Sequence, residues 1–393
     1  MKNKINKFMF ISALCLFFVS CAQEPLKDGS KHKSKNAPMP APMSQGTLNP
    51  NESNLPPIKI LSIDGGGIRG IIPAHLLAGF EKETGKRVYE LFDIVAGTST
   101  GGLIALISTT PNDNKTSSFM PAEEIEKFYI KYADKIFKYA CKPWVLKSLC
   151  GIAGPLYEVD PFEKLMKDII SDRLFKEALK PTLVATFDIE RKQGYSLESD
   201  SPLFDNLTKA EVARATSAAP TYFAPKILEM KNPEGGGLSQ HYMVDGGLYK
   251  NNPSLLAYRK ALKIFGADQV KKRGIVLISL GTGWPILNAN DGKDLLTAGF
   301  AKWAPAAIDA IIDGSSNEDH LFLEDLFKSK PKSTYIRIQA LLDNASHPAI
   351  TELDNIDQNN LRFLVGAAKN TKNIPAYKDA VNMLKMFSGP SKI

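Results

Sequence analysis

Ser99 stands in the run Gly97-Thr98-Ser99-Thr100-Gly101-Gly102, a G-x-S-x-G spacing between a short apolar segment and an apolar helical one. In that setting Gly97 and Gly101 let a strand-to-helix turn tighten until the serine oxygen stands clear. The following helix would aim its N-terminus at that oxygen and favour negative charge there. The chemistry this suits is nucleophilic attack. A serine hydroxyl needs a proton acceptor to attack well, so a second group has to be found.

Two kinds of partner are available. A serine hydrolase of the acid-then-histidine order needs a histidine downstream. His75 comes too early for that order, and His320 and His347 sit in polar stretches with no strand-end signature; the others are His241 and, in the polar N-terminal stretch, His32. The other partner is Asp245 in "YMVDGGLYKNNP", where an apolar run ends in a carboxylate and Gly246-Gly247 allow a sharp turn. A carboxylate at a strand's C-terminal end falls on the edge where open α/β sheets place their sites, and Ser99 would share that edge.

A third block, "ILSIDGGGIRGIIPAHLLAGF", places Gly65, Gly66 and Gly67 where a strand hands over to a helix. Gly65, Gly67 and Gly70 spell G-x-G-x-x-G, a dinucleotide fingerprint. That reading wants an acidic residue ending the next strand, but "LFDIVAGTS" has Asp93 near its start and ends in Gly-Thr-Ser. The competing reading is an oxyanion hole, in which consecutive glycine N–H groups converge on one oxygen that any side chain would obstruct. Arg69 would fix this loop, favour negative charge beside it, or serve only as a structural ion pair.

The elements that must position these groups follow from hydrophobic periodicity. "IKILSI", "LFDIVAG", "TLVATFDI", "HYMVD", "GIVLISLGTG" and "STYIRIQ" read as strands. Residues 70–84, about 100 onward, 121–140, 159–170 and two segments within 357–388 read as helices. Pro73 falls in a first helical turn, where proline is tolerated. The alternation predicts an α/β fold with a largely parallel sheet sandwiched by helices. Residues 58–393 read as one catalytic domain, with the stretch 285–330 and the C-terminal helices as a candidate lid or cap.

With these blocks in place the chain resembles the patatin family of lipid acyl hydrolases. "SIDGGGIRGIIPA", "GTSTGG", "ATSAAPTYFAP" (Ala215 to Pro225) and "DGG" match the family's successive blocks in order, over about Ile58 to Leu280, and look most like those of plant storage patatins. The resemblance implies that Ser99 is the nucleophile, Asp245 its dyad partner, and Gly65, Gly66 and Gly67 the oxyanion donors. It implies hydrolysis of fatty-acyl esters of membrane lipids through an acyl-serine, with no cofactor. No zinc spacing or EF-hand pattern is present, and no metal is expected. The reading from another class is a surface lipoprotein that only binds lipid or protein.

The N-terminus speaks to location. Lys2, Lys4 and Lys7 precede an apolar run, Phe8 to Val19, too short to span a bilayer comfortably, and Ser20 precedes Cys21. "FFVSC" resembles a bacterial lipoprotein signal, with residues 1–20 removed and Cys21 lipidated; Phe18 departs from the usual aliphatic residue. Ala22 is not the aspartate that resembles an inner-membrane retention signal, so the outer membrane is the expected site in a Gram-negative producer. The alternative is a plain secretory peptide. Residues 22–57, rich in Lys, Pro, Asn and Ser, read as a disordered tether of roughly 30–35 Å root-mean-square span.

Losing residues 1–20, with three lysines and no acid, lowers the formal charge from +7 to +4. That modest excess suits anionic lipid surfaces, and no basic stripe interleaved with aromatics points to nucleic acid. In an exported chain Cys141 and Cys150 form a disulfide or remain two free thiols.

Overall fold

A computed structural model of the chain describes residues 55–140, 154–286, 296–297, 299–343 and 352–388. The leader, Cys21, tether residues 22–54, Cys141, Cys150, His32 and His347 lie outside the described residues. The strands are β1 (Ile58–Ile63), β2 (Ile94–Thr98), β3 (Thr182–Asp188), β4 (Gln193–Glu198), β5 (Lys226–Lys231), β6 (Leu238–Asp245), β7 (Ile275–Leu280), β8 (Trp284–Ile286), β9 (Thr334–Ile338) and β10 (Leu341–Asp343). The helices are α1 (Ile71–Thr84), α2 (Val88–Leu91), α3 (Thr100–Ser108), α4 (Ala122–Ile136), α5 (Val159–Ile170), α6 (Lys209–Thr216), α7 (Gly247–Lys250), α8 (Ser254–Phe265), α9 (Ala267–Arg273), α10 (Phe300–Lys328), α11 (Gln358–Thr371) and α12 (Pro375–Ser388).

The main sheet runs β5-β6-β3-β2-β1-β7-β9, with β4 on the remaining edge of β3. From β3 through β9 all pairings are parallel, as the strand–helix alternation predicts. These strands are apolar on both faces, so both must be covered. Ile58, Ile60, Ile94, Ala96, Leu183, Ile275 and Leu277 face one core with residues of α8, α9 and α10. Their neighbours Leu61, Ile63, Val95, Val184, Val276 and Ile278 face the other, under α1, α3, α4, α11 and α12. Each fully buried Ile, Leu or Val contributes about 1.5–3 kcal/mol relative to exposure.

The far end of the sheet is antiparallel. β4 and β6 pair antiparallel with β3, and β5 pairs antiparallel with β6. β4 occupies one edge of β3 from Leu183 to Asp188. The opposite edge is divided: β2 pairs with Thr182 to Ala185, and β6 with Thr186 to Asp188. The two strands therefore approach along the same edge from opposite directions and stop head to head, Thr98 opposite Ala185 and Asp245 opposite Thr186. Asp245 does reach the C-terminal edge of the parallel strands. It arrives from beyond that edge on an antiparallel strand, not by rising alongside β2.

α10 is no detached cap. Its Leu323 and Phe327 belong to one core, and Ile312 is also buried. Among the described residues no helix is long and apolar enough to cross a membrane.

Candidate active site

The turn between β2 and α3 holds Ser99 at φ 51°, ψ −122°, outside the regions open to most L-residues. Such a conformation costs about 1–3 kcal/mol and persists only when its surroundings over-determine it. Here they do. The Ser99 N–H donates to Thr216 Oγ1 at 2.8 Å, and that hydroxyl donates to the Ala185 carbonyl at 2.6 Å. Thr98 Oγ1 donates to the Lys250 carbonyl at 2.7 Å. A methyl group on Gly97 would stand 2.1 Å from the Gly101 carbonyl oxygen, and one on Gly101 would stand 2.2 Å from that of Ile63. Both glycines are thus required by the close approach of α3 to the strand ends.

Ser99 Oγ donates a hydrogen bond of 2.6 Å to Asp245 Oδ2. The other carboxylate oxygen accepts the Gly247 N–H at 2.8 Å. Asp245 is 6 % exposed, whereas Ser99 is only partly covered. Burial pushes the Asp245 carboxyl up to about 6, against the two hydrogen bonds that favour its charged form. The described histidines are engaged elsewhere: His75 with Glu126, His241 with Asp188 and Ser239, His320 with Tyr335. Among the described residues no histidine bonds to Ser99 or Asp245.

The glycine loop lies over the serine, and its three amides are not equivalent. Gly65 donates its N–H to the Asn251 carbonyl at 3.2 Å, which turns that amide into the framework and corrects its expected place among the oxyanion donors. A methyl there would stand 2.3 Å from Asn251 Oδ1 and 3.2 Å from Ser99 Cβ, so Gly65 is needed for clearance. The amides of Gly66 and Gly67 have no acceptor among the described residues, and both residues line the same cavity as Ser99. Gly67 has φ +55°, which favours glycine. Arg69 does not line the cavity. It is 4 % exposed and faces Asp309 and Asp313 on α10, favouring their charged forms against the burial that raises them.

Beneath the loop, Asp64 takes two hydrogen bonds from the Arg337 guanidinium of β9, one of 2.8 Å to Oδ1, and both residues are nearly buried. Arg337 also donates to Ser279 Oγ at 2.8 Å. Removing one partner of such a pair strands a buried charge. Asp64→Ala is therefore expected to cost about 3–5 kcal/mol in urea unfolding; a loss under 1 kcal/mol would show that water reaches Arg337.

The cleft over Ser99 is open to solvent on one side and is walled largely by apolar side chains, among them Leu103, Phe162, Tyr222, Phe223, Ile312 and Leu353. Its apolar lining suits an acyl chain. Among the described residues no group of three or more His, Cys, Asp or Glu is placed to hold a metal ion. Thr216, Asn251 and Leu353 were not singled out from sequence. Thr216 and Asn251 do lie within the "ATSAAP" and "YKNNP" runs that adjoin or contain the expected blocks; Leu353 has no local signal at all.

The chain is similar to known proteins. Residues 61–258 match the family model described as "Patatin-like phospholipase". "Patatin-like protein 2" of Oryza sativa subsp. indica is 32% identical over 325 residues, covering 75% of this chain and 79% of its own. "Patatin-like protein 2" of Arabidopsis thaliana is 32% identical over 337 residues, covering 78% and 82% respectively. "Patatin-2-Kuras 3" of Solanum tuberosum is 28% identical over 353 residues, covering 82% and 86%. With the glycine loop, serine turn and aspartate strand end inside the matched region, the chain belongs to the patatin-like phospholipase family.

Proposed function

We propose that this chain hydrolyses fatty-acyl esters of membrane lipids, with Ser99 as nucleophile and Asp245 as its base. The observation that carries the reading is the direct 2.6 Å hydrogen bond from the Ser99 hydroxyl to a buried carboxylate. Ser99 Oγ attacks the ester carbonyl while Asp245 takes the hydroxyl proton. The oxyanion of the tetrahedral intermediate accepts the free amides of Gly66 and Gly67. Collapse expels the lipid alcohol, which takes the proton back from Asp245, and leaves an acyl-serine. Water then attacks the acyl carbonyl, gives its proton to Asp245, and the fatty acid departs as Ser99 is restored. The apolar lining beside Ser99 supports an acyl chain as the group transferred.

An ordinary aspartate, with a pKa near 4, is a weak base. Burial raises Asp245 to about 6, which strengthens it while leaving it ionised at neutral pH. For a soluble ester, kcat/KM is expected to climb with pH to a plateau, half-maximal near pH 6. Asp309, also raised to about 6 by burial, sits beside Arg69; Asp309→Asn should leave this limb in place. A limb centred near pH 4 would contradict the assignment.

A fluorophosphonate probe separates an enzyme from a protein that only binds lipid. Adduct on Ser99, with fatty acid released from mixed vesicles, supports hydrolysis; no adduct and no product would leave the binding reading. We further infer that Cys21 is lipidated and holds the domain on the bacterial envelope, in the outer membrane of a Gram-negative producer. Metabolic labelling with palmitate should mark the wild type and spare Cys21→Ala.

A further inference from the structure

We propose that residues 352–354 are a positioning element for the oxyanion loop, latched in place by the hydrogen bond from Tyr157 to Asp354. The inference rests on the reading of Gly66 and Gly67 as oxyanion donors. It concerns a stretch outside the matched family region of residues 61–258.

Three contacts converge on this short stretch. The Leu353 carbonyl accepts the Ile68 N–H at 2.8 Å, directly after the two free amides. It also lies so close to Gly67 that a methyl there would stand 2.0 Å from it. The backbone of Leu353 therefore fixes the conformation in which Gly67 adopts φ +55°. The Leu353 side chain, 8 % exposed, forms part of the cavity wall beside Ser99. One residue thus touches both the donor loop and the acyl space.

The next residue supplies the fastening. Asp354 Oδ2 accepts the Tyr157 hydroxyl across 197 positions of sequence. The Tyr157 ring is itself held among Phe137, Tyr139, Tyr222 and Phe223 at centroid separations of 5.1–6.0 Å. Of these, Phe137, Tyr222 and Phe223 also line the cavity. A rigid aromatic cluster on one wall thereby sets where the 352–354 backbone lies on the other. Displacing an oxyanion donor by about 1 Å can cost up to about 100-fold in rate, so such a fastening has kinetic weight.

The test uses the full chain with Tyr157→Phe, which keeps the ring, Asp354→Ala, and Asp354→Asn, whose amide oxygen can still accept the bond. Two readouts are taken, with thermal melting to show that the variants are folded. One is hydrogen exchange of the peptide spanning residues 64–72; the other is the rate at which a fluorophosphonate labels Ser99. Expected are exchange at least 10-fold faster and labelling about 10-fold or more slower in Tyr157→Phe and Asp354→Ala, with Asp354→Asn restored towards wild type. Unchanged exchange in Asp354→Ala overturns the latch. Faster exchange with unchanged labelling overturns its part in catalysis. A wild type that never labels defeats the reading of Ser99 as nucleophile instead, and the exchange arm still decides the latch.

Discussion

Ser99→Ala is expected to reduce fatty-acid release from mixed lipid vesicles by about 10⁴–10⁶-fold, the loss seen when a serine nucleophile is removed from a machinery that acts as a unit. The fold should survive. The turn is held by the backbone N–H of Ser99, the Thr98 hydroxyl and the packing of Gly97 and Gly101, none of which uses the Ser99 oxygen. What disappears is the bond to Asp245 and the atom that would become acylated. Mass spectrometry of vesicle products, run beside wild type, measures the effect, and circular dichroism confirms that the variant is folded. Release retained by the alanine protein would end the assignment. Ser99→Gly offers an internal check on strain: at φ 51° it should be more stable than the alanine variant by about 1 kcal/mol.

The second large effect has two opposite signs. Asp245→Asn removes the base and should lower turnover by about 10³–10⁴-fold, within the range general-base catalysis supplies. The same change should stabilise the protein at neutral pH. The folded carboxyl is raised from 3.8 to about 6, because burial penalises its charge. Between those values the unfolded chain releases a proton that the folded chain keeps. Wild-type stability therefore falls as pH rises from about 4 to 6, by at most about 3 kcal/mol. Asparagine pays no such penalty. Its advantage should be absent below pH 4, grow between pH 4 and 6, and stay level above. Urea titrations at pH 4, 5, 6 and 7.5 would reveal it; an advantage independent of pH would mean that Asp245 ionises freely in the folded state.

How much of this was legible in the chain depended on distance along it. The Ser99 turn could be read because strand, small residues and helix are consecutive, and their geometry is local. Asp245 could be read as the end of an apolar run before two glycines. The direction of its strand could not, because pairing sense is decided by β3 and not by "HYMVD" itself. β5 shows the same limit: Leu228 and Met230 are buried in alternation with exposed neighbours, yet "KILEMK" is short and framed by lysines. "LFDIVAG" was too generous, since Leu91 ends a helical turn and the strand starts at Ile94.

The glycine loop was recognised as a whole but not amide by amide. Only the position of Asn251 reveals that Gly65 donates inward. Asp64 and Arg337 are 273 positions apart, and no periodicity links them. The role of Leu353 is carried by a carbonyl, which every residue possesses, so its side chain announces nothing.

The head-to-head ending of β2 and β6 also governs when the Ser99–Asp245 pair can first form. Ser99 and Asp245 are 146 positions apart, with the hydrogen-bond acceptor on the later strand. A ribosome that has delivered the first 240 residues has made the hydroxyl but not the carboxylate. Even a longer nascent chain lacks the site until β6 has docked on β3. Synthesis order thus delays the meeting of Ser99 and Asp245 until the sheet is complete.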